Sequence, residues 1–255
     1  MKTAAVILNH NLPDYTDMLY ESLKPYERGD YELMVFDNGS NEAGRSRYTT
    51  HALDQNVYFG GGFNAAMQMV IESDEYDSLL FLNNDLTVHP YNFVRVLRET
   101  MFNSGGGSYD PISNDVVSPC FYNIEPLGQC HWKTMHNWGA PFTRFVPFID
   151  FQCPLISKRL LKEVGEIDPS LMYGWGIDAY FAILCQQKGW KMGVVDRLCV
   201  LHHNSLTVKR GVAGINVQQY CQLAEKGQVE FFTKKNLVKE FHDIRNQGNN
   251  YAYAN

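Results

Sequence analysis

One pattern constrains the fold of this 255-residue chain more than any other. Four apolar runs of strand length each stop in a cluster of small polar residues. TAAVILNHN (3–11) ends in Asn9-His10-Asn11, and YELMVFDNGS (31–40) ends in Asp37-Asn38-Gly39-Ser40. SLLFLNND (78–85) ends in Asn83-Asn84-Asp85, and KMGVVDRLCVLHHNS (191–205) reaches His202-His203-Asn204. Runs this short and this continuously apolar read as strands covered on both faces. Helical spacing appears between them. Leu12, Tyr15, Met18, Leu19 and Leu23 recur on one face before Pro25 and Gly29-Asp30 close the helix. QNVYF reads as a strand end, the glycine run Gly60-Gly61-Gly62 follows, and Phe63, Met67, Val70 and Ile71 mark the next helix. With 41–50 as a loop and 91–101 as a third helix, the first hundred residues read β-α-β-β-α-β-α. That alternation implies an α/β fold: a Rossmann-like, mostly parallel central sheet with helices on both faces.

The second half is less regular. SGGGSYDP (104–111) is the strongest hinge signal in the chain. NDVVSPCFY predicts a strand, a second one falls near 130–138, and VPFIDFQCPLIS (146–157) reads as another. SKRLLKEVG is a helix closed by Gly165, and a further helix spans about 178–188. A single C-terminal helix is expected over 215–240, then a frayed tail, NQGNNYAYAN. The organisation expected is a domain over 1–210, with halves 1–102 and 103–210, and a helical extension over 211–255.

Several classes of function are disfavoured. A formal net charge of −6 argues against a chain built to bind nucleic acid. The six cysteines contain no C-x-x-C pair, which disfavours a zinc knuckle or a thioredoxin-like motif. AAVIL is too short for the apolar core of a signal peptide, and no later run approaches the length of a membrane span. The expectation is a cytoplasmic protein with reduced thiols; Cys120 and Cys130 could bridge in an exported one. No G-x-x-x-x-G-K-[ST] loop, G-x-S-x-G elbow or complete G-x-G-x-x-G fingerprint is present.

In an open parallel sheet, ligands bind beyond the carboxyl ends of the strands. The four polar clusters all fall there. Each also serves as an ordinary turn, because Asn, Asp and Gly are turn formers. The glycine run before Phe63 allows close backbone approach to an anion at a helix start, or simply a flexible turn. Asp178, in YGWGIDAYF, stands at a helix start, where an aspartate also favours the helix dipole by about 0.3–1 kcal/mol. Trp175 reads as a sugar platform or as a core aromatic.

Taken in order, these segments resemble the inverting glycosyltransferases of family 2, which have the GT-A fold. VILNHN resembles the family's opening strand, and VFDNGS the strand whose Asp holds the nucleotide base. QNVYFGGGFNAAM resembles its Asn-x-Gly-(Phe/Tyr)-x-x-Gly-x-Asn segment, and FLNNDLTV its Leu-Asn-x-Asp motif. ISKRLLKEVGEIDPSLMYGWGIDAYFAILCQQKGW resembles the downstream block that carries a Glu-Asp pair, and VLHHNSLT the closing strand with its histidine. The resemblance covers roughly 3–207, and Leu86 after Asp85 is similar to rhamnosyltransferase-like members.

The resemblance implies a metal-dependent transfer of sugar from a UDP- or dTDP-sugar to an acceptor hydroxyl, in glycan or polysaccharide synthesis. Asp85 and His202 would hold Mg²⁺ or Mn²⁺; His203, one residue on in a strand, would point the other way. Asp37 would accept the imide N–H of the base. Asn9, Asn64, Asn83 and Asn84 would line the nucleotide-sugar pocket. Asp178 would be the general base, and Asp168 structural. A glycan or glycolipid acceptor follows, with peripheral association at the inner face of a membrane. One departure stands out: Ile177 replaces the Glu of the Glu-Asp pair. The irregular 103–147 segment and the helix after Gly214 are the expected acceptor parts, with Phe121, Tyr122, Trp132 and Trp138 suited to stacking or to the core. The alternatives are a nucleotide-sugar-binding domain without catalysis and a sugar nucleotidyltransferase; NHNLPDYTD lacks the Gly-rich basic loop that the second needs.

Overall fold

A computed structural model describes residues 1–89, 91–102, 114–122, 130–141, 143–203, 206–209 and 214–252. The strands are β1 (Lys2–Asn9), β2 (Tyr31–Asn38), β3 (His51–Leu53), β4 (Tyr76–Asn83), β5 (Leu86–Thr87), β6 (Val116–Phe121), β7 (Thr143–Phe145), β8 (Leu155–Ser157) and β9 (Met192–His202). The helices are α1 (Pro13–Leu23), α2 (Tyr58–Glu72), α3 (Phe93–Phe102), α4 (Lys158–Val164), α5 (Ile177–Lys188), α6 (Leu206–Lys209), α7 (Val217–Lys234) and α8 (Val238–Asn249).

The nine strands of the described residues join one sheet in the order β3-β2-β1-β4-β8-β6-β9-β5, with β7 paired to β9. β1 pairs in parallel with β2 and β4, β2 with β3, and β6 with β9. β8 is antiparallel to both β4 and β6, so those two run the same way. The main sheet is therefore mostly parallel with β8 reversed, while β5 and β7 are short antiparallel additions. Because β8 lies between β4 and β6, the two halves of the chain share one sheet.

Ala4, Ala5, Val6 and Ile7 of β1 are all fully buried. Successive strand residues point to opposite faces, so both faces of the sheet are covered. α1 packs on β1 and β2, α2 on β1, β2 and β4, and α3 on β6, β8 and β9. An aromatic cluster ties sheet to helices: Phe63 of α2 meets Phe81 of β4 edge-on at 5.0 Å and Phe181 of α5 at 5.8 Å. Burying aromatic side chains of this size contributes several kcal/mol each by area.

Five segments differ from the sequence expectation. QNVYF is not a strand; α2 begins at Tyr58 and takes in the glycine run, while the short third strand is His51–Leu53. Of 146–157 only Leu155–Ser157 pairs as a strand. Val146, Phe148, Ile149, Phe151 and Cys153 are buried outside any regular strand, and such burial reads from sequence like a strand. The stretch near 130–138 holds one turn of 3₁₀ helix, Lys133–Met135, and a single bridge from His136 to Phe121. The C-terminal helix is two helices, broken at Asn236, whose φ of 55° is left-handed. α8 runs to Asn249, through the first residues of the expected tail. The hinge signal at 104–111 lies outside the described residues. All six cysteines are free thiols, so Cys120 and Cys130 are not bridged; Cys120 instead stands beside Cys199 in the β6–β9 pairing.

Candidate active site

The carboxyl ends of β1, β2 and β4 end level with one another, because the registers pair Asn9 with Asp37 and Leu8 with Asn83. β9 arrives beside them through β5, which pairs Leu86 with His202. The chain's strand-end clusters are thus gathered at one edge.

Asp85 and His202 meet there. His202 Nε2 lies 3.1 Å from Asp85 Oδ1, and Asp85 Oδ2 accepts a 3.0 Å hydrogen bond from the Leu206 backbone N–H. Both side chains are more than nine-tenths buried. The Asp85–His202 approach is close but not aligned as a hydrogen bond, and both ring nitrogens of His202 lack a hydrogen-bond partner among the described residues. Burial pushes the Asp85 carboxyl up, but the His202 charge and the Leu206 N–H outweigh it and hold it below the usual aspartate range. Burial likewise pushes His202 down, and Asp85 outweighs it. His203 faces elsewhere: its Nε2 is 2.9 Å from Thr87 Oγ1, and its ring meets Tyr15 edge-on.

A buried imidazole with no partner beside a carboxylate is an N,O donor pair. It fits a divalent cation, with the imidazole favouring Mn²⁺ over Mg²⁺, whose preference is for oxygen. No cluster of three or more His, Cys, Asp or Glu donors exists among the described residues.

Asp178 opens α5. Gly176, at φ 91°, makes the left-handed turn into the helix, a conformation open to glycine at little cost. Ile177 is fully buried in the core, so the position that departs from the family's pattern faces apolar packing. Asp178 accepts a 2.8 Å bond from the Ala179 N–H. Burial, followed by the charge of Asp150, pushes its carboxyl up to about 8. The loop before it is set by α2: Gly60 donates its N–H to Met172 O at 2.8 Å. A Cβ on Gly60 would stand 2.5 Å from Leu171 O, so only glycine allows this approach. The glycine run therefore serves packing inside a helix rather than an anion at its start.

Asp150 was not singled out by sequence. It follows the buried Phe148-Ile149 pair, and Gln152 Nε2 donates to its Oδ2 at 2.7 Å. Burial pushes its carboxyl up against the opposing charges of His202 and His131. Its signal was an aspartate amid an apolar run, VPFIDF, which strand-like apolarity masked.

The remaining expected residues divide. Asn83 ends β4 half-buried, with its backbone N–H on Gln152 O. Asn84 turns inward, its amide 3.1 Å from Thr16 Oγ1. Asn9 is fully buried and does not line an open pocket: its amide donates to Asp37 Oδ2, Ser40 Oγ and Gly44 O, and its Oδ1 accepts from Thr16. Asp37 is enclosed with it, accepting also from the Ser40 N–H, while the half-exposed Arg45 stands 3.6 Å from its Oδ1. Asn64 lies along α2 and accepts from the Ile167 N–H at 3.0 Å, which joins α2 to the loop after α4. Asp168 caps its own turn through Ser170. Phe121 is core and Trp132 packs on Phe148; Tyr122, Trp138 and Trp175 are exposed.

Comparison with solved structures decides the architecture. A mannosyltransferase from Pyrobaculum calidifontis, in complex with GDP-Man and Mn²⁺, superposes over 97% of this chain and 69% of its own, with a TM-score of 0.61 at 11% identity. The fold is GT-A. GalNAc-T7 with UDP, GalNAc and Mn²⁺ shares the GT-A fold at a TM-score of 0.58, 14% identity and 97% of this chain, which spans 55% of that enzyme. S. aureus TarS 1-349 with UDP-GlcNAc matches at 0.52 and 14% identity, over 96% of this chain and 79% of its own. No family model and no curated protein matches the sequence. No described helix is long and apolar enough to cross a membrane.

Proposed function

We propose that the chain is a metal-dependent inverting glycosyltransferase that moves a sugar from a UDP- or dTDP-sugar to an acceptor hydroxyl in glycan or polysaccharide synthesis. The observation that carries this reading is His202, whose buried ring nitrogens make no hydrogen bond among the described residues, 3.1 Å from Asp85, together with a carboxylate, Asp178, raised to about 8, that shares with His202 the field of Asp150. The ligands named for the structural neighbours, UDP-GlcNAc, UDP with Mn²⁺, and GDP-Man with Mn²⁺, support a nucleotide-sugar donor.

In this reading Asp85 and His202 hold Mn²⁺ or Mg²⁺ together with the donor's phosphates. A bound divalent ion supplies charge neutralisation for the diphosphate leaving group. Asn83, half-buried at the end of β4, stands against the donor. Asp37 receives the imide N–H of uracil or thymine once Arg45 gives way from its carboxylate. Asp178 in its ionised form takes the acceptor's proton, which requires an oxygen–oxygen approach of about 2.6–3.2 Å. Attack on the face opposite the leaving group inverts the anomeric carbon. The acceptor is a glycan or glycolipid, reached by a chain working in the cytoplasm at the inner face of a membrane.

The test is turnover of UDP- and dTDP-sugars with and without Mn²⁺. Wild type is expected to hydrolyse or transfer a donor only with the ion, and Asp85→Ala and Asp178→Ala to lose at least 100-fold while remaining folded, an effect within the range for general-base loss, about 10²–10⁴-fold. Near-normal turnover by a folded Asp178→Ala protein would sink the assigned base. A binding domain without catalysis would bind donors in every metal condition and turn over none.

A further inference from the structure

The segment between β7 and β8 places two oxygen acceptors where the proposed mechanism uses neither. Asp150 and Gln152 lie on the irregular stretch that runs antiparallel to the end of β4, through bonds from Phe81 N–H to Pro154 O and from Asn83 N–H to Gln152 O. That puts them next to the turn that carries Asp85. Gln152 Nε2 is committed to Asp150 Oδ2 at 2.7 Å, which fixes the amide so that Oε1 is its free end. Oε1 is buried and has no hydrogen-bond partner among the described residues. The two ring nitrogens of His202 are in the same condition. An orphaned buried acceptor costs about 1–3 kcal/mol, so native proteins keep few of them without a ligand to satisfy them. The neighbouring charges agree on the location, because the field of Asp150 is felt at both Asp178 and His202.

Resting on the glycosyltransferase reading, we infer that Asp150 and Gln152 form the donor-sugar subsite, receiving sugar hydroxyls between the metal pair and the general base. The chemistry selects the ligand. A carboxylate and an amide oxygen can only accept, so they recognise O–H groups, and a hexose carries several on adjacent carbons. Bonds to a charged acceptor are the stronger ones, so Asp150 carries most of the discrimination. A sugar lacking the recognised hydroxyl leaves the buried Gln152 Oε1 unpaired, the arrangement that gives sites their largest selectivity.

Binding of a panel of UDP-, dTDP- and GDP-hexoses, each against its bare nucleoside diphosphate, tests this by calorimetry with Mn²⁺ present. Wild type is expected to bind at least one sugar nucleotide tenfold or more tighter than the matching diphosphate. Asp150→Asn retains an oxygen for the Gln152 amide and should fold. It is expected to bring that sugar nucleotide down to the level of the diphosphate, while the diphosphate's own affinity stays within about twofold. Gln152→Leu should lose part of the same increment. Equal weakening of diphosphate and sugar nucleotide by Asp150→Asn would mean action through the metal pair and overturn the subsite. An unchanged increment in Asp150→Asn, or no sugar increment in wild type, overturns it too. Failure of wild type to bind any diphosphate with Mn²⁺ is a different result, and it removes the glycosyltransferase reading beneath.

Discussion

At the residue scale, burial and then the charge of Asp150 set the pH response of Asp178. In the proposed role Asp178 takes a proton only when ionised, and burial with the Asp150 charge lifts its pKa to about 8. For the free enzyme kcat/KM should therefore climb from about pH 6 to a plateau above about 9, half-maximal near 8. A flat profile across that window would contradict the assignment. The stability effect has the opposite direction. A carboxyl whose folded pKa exceeds its unfolded one binds more protons when folded, so its contribution is intact below about pH 4 and is lost as pH rises to about 8. Asp178→Asn should accordingly be more stable than wild type at pH 8 and equal to it near pH 4 in denaturant titrations. Asn9 is held by a buried hydrogen-bond network. Asn9→Ala leaves Asp37 Oδ2 and Thr16 without their buried partner, and should cost about 2–4 kcal/mol. Asp85, His202 and Asp178 were legible because each stands in a polar cluster or at a helix start after an apolar run. Asp150 and Gln152 were not, because local apolarity in VPFIDFQCP describes burial and not what the polar residues within it face.

The glycine run shows why element boundaries were harder to read than elements. Three consecutive glycines ordinarily break a helix, at roughly 1 kcal/mol each relative to Ala, yet here they lie in the first turns of α2. What holds them is tertiary: Gly60 meets the backbone of Leu171 and Met172, a contact 111 or more residues away that no local pattern records. Gly60→Ala gains helix propensity but drives a methyl to 2.5 Å from Leu171 O. Overpacking of this kind costs about 1–3 kcal/mol, and here it also shifts the loop that aims Asp178. The expected outcome is a lowered melting temperature together with a fall in kcat larger than any change in donor affinity. A variant with lowered stability and unchanged kcat would show that the α2 contact does not position the base.

For the molecule as a whole, the β-α alternation of the first hundred residues was legible, since buried strands and amphipathic helices each leave a local period. The reversed β8 was not, because three residues wedged between β4 and β6 carry no sign of direction. Nor was the buried pair Arg144–Asp196, 52 residues apart, which pins the 134–140 segment to β9: Asp196 accepts from Arg144, Trp138 N–H and Ala140 N–H, and Arg144 donates to Thr134 O and His136 O. Arg144→Ala strands a buried carboxylate and should destabilise the protein by about 3–5 kcal/mol in denaturant unfolding. The proposed function requires one edge of the GT-A sheet to join Asp85 and His202 into a metal-dependent diphosphate site. Calorimetric titration of UDP with and without Mn²⁺, on wild type, Asp85→Asn and His202→Ala, tests that claim most directly. UDP is expected to bind wild type only in the presence of Mn²⁺, with a tenfold or greater loss in both variants. UDP binding that ignores the ion, or that survives unchanged in both variants, would contradict it.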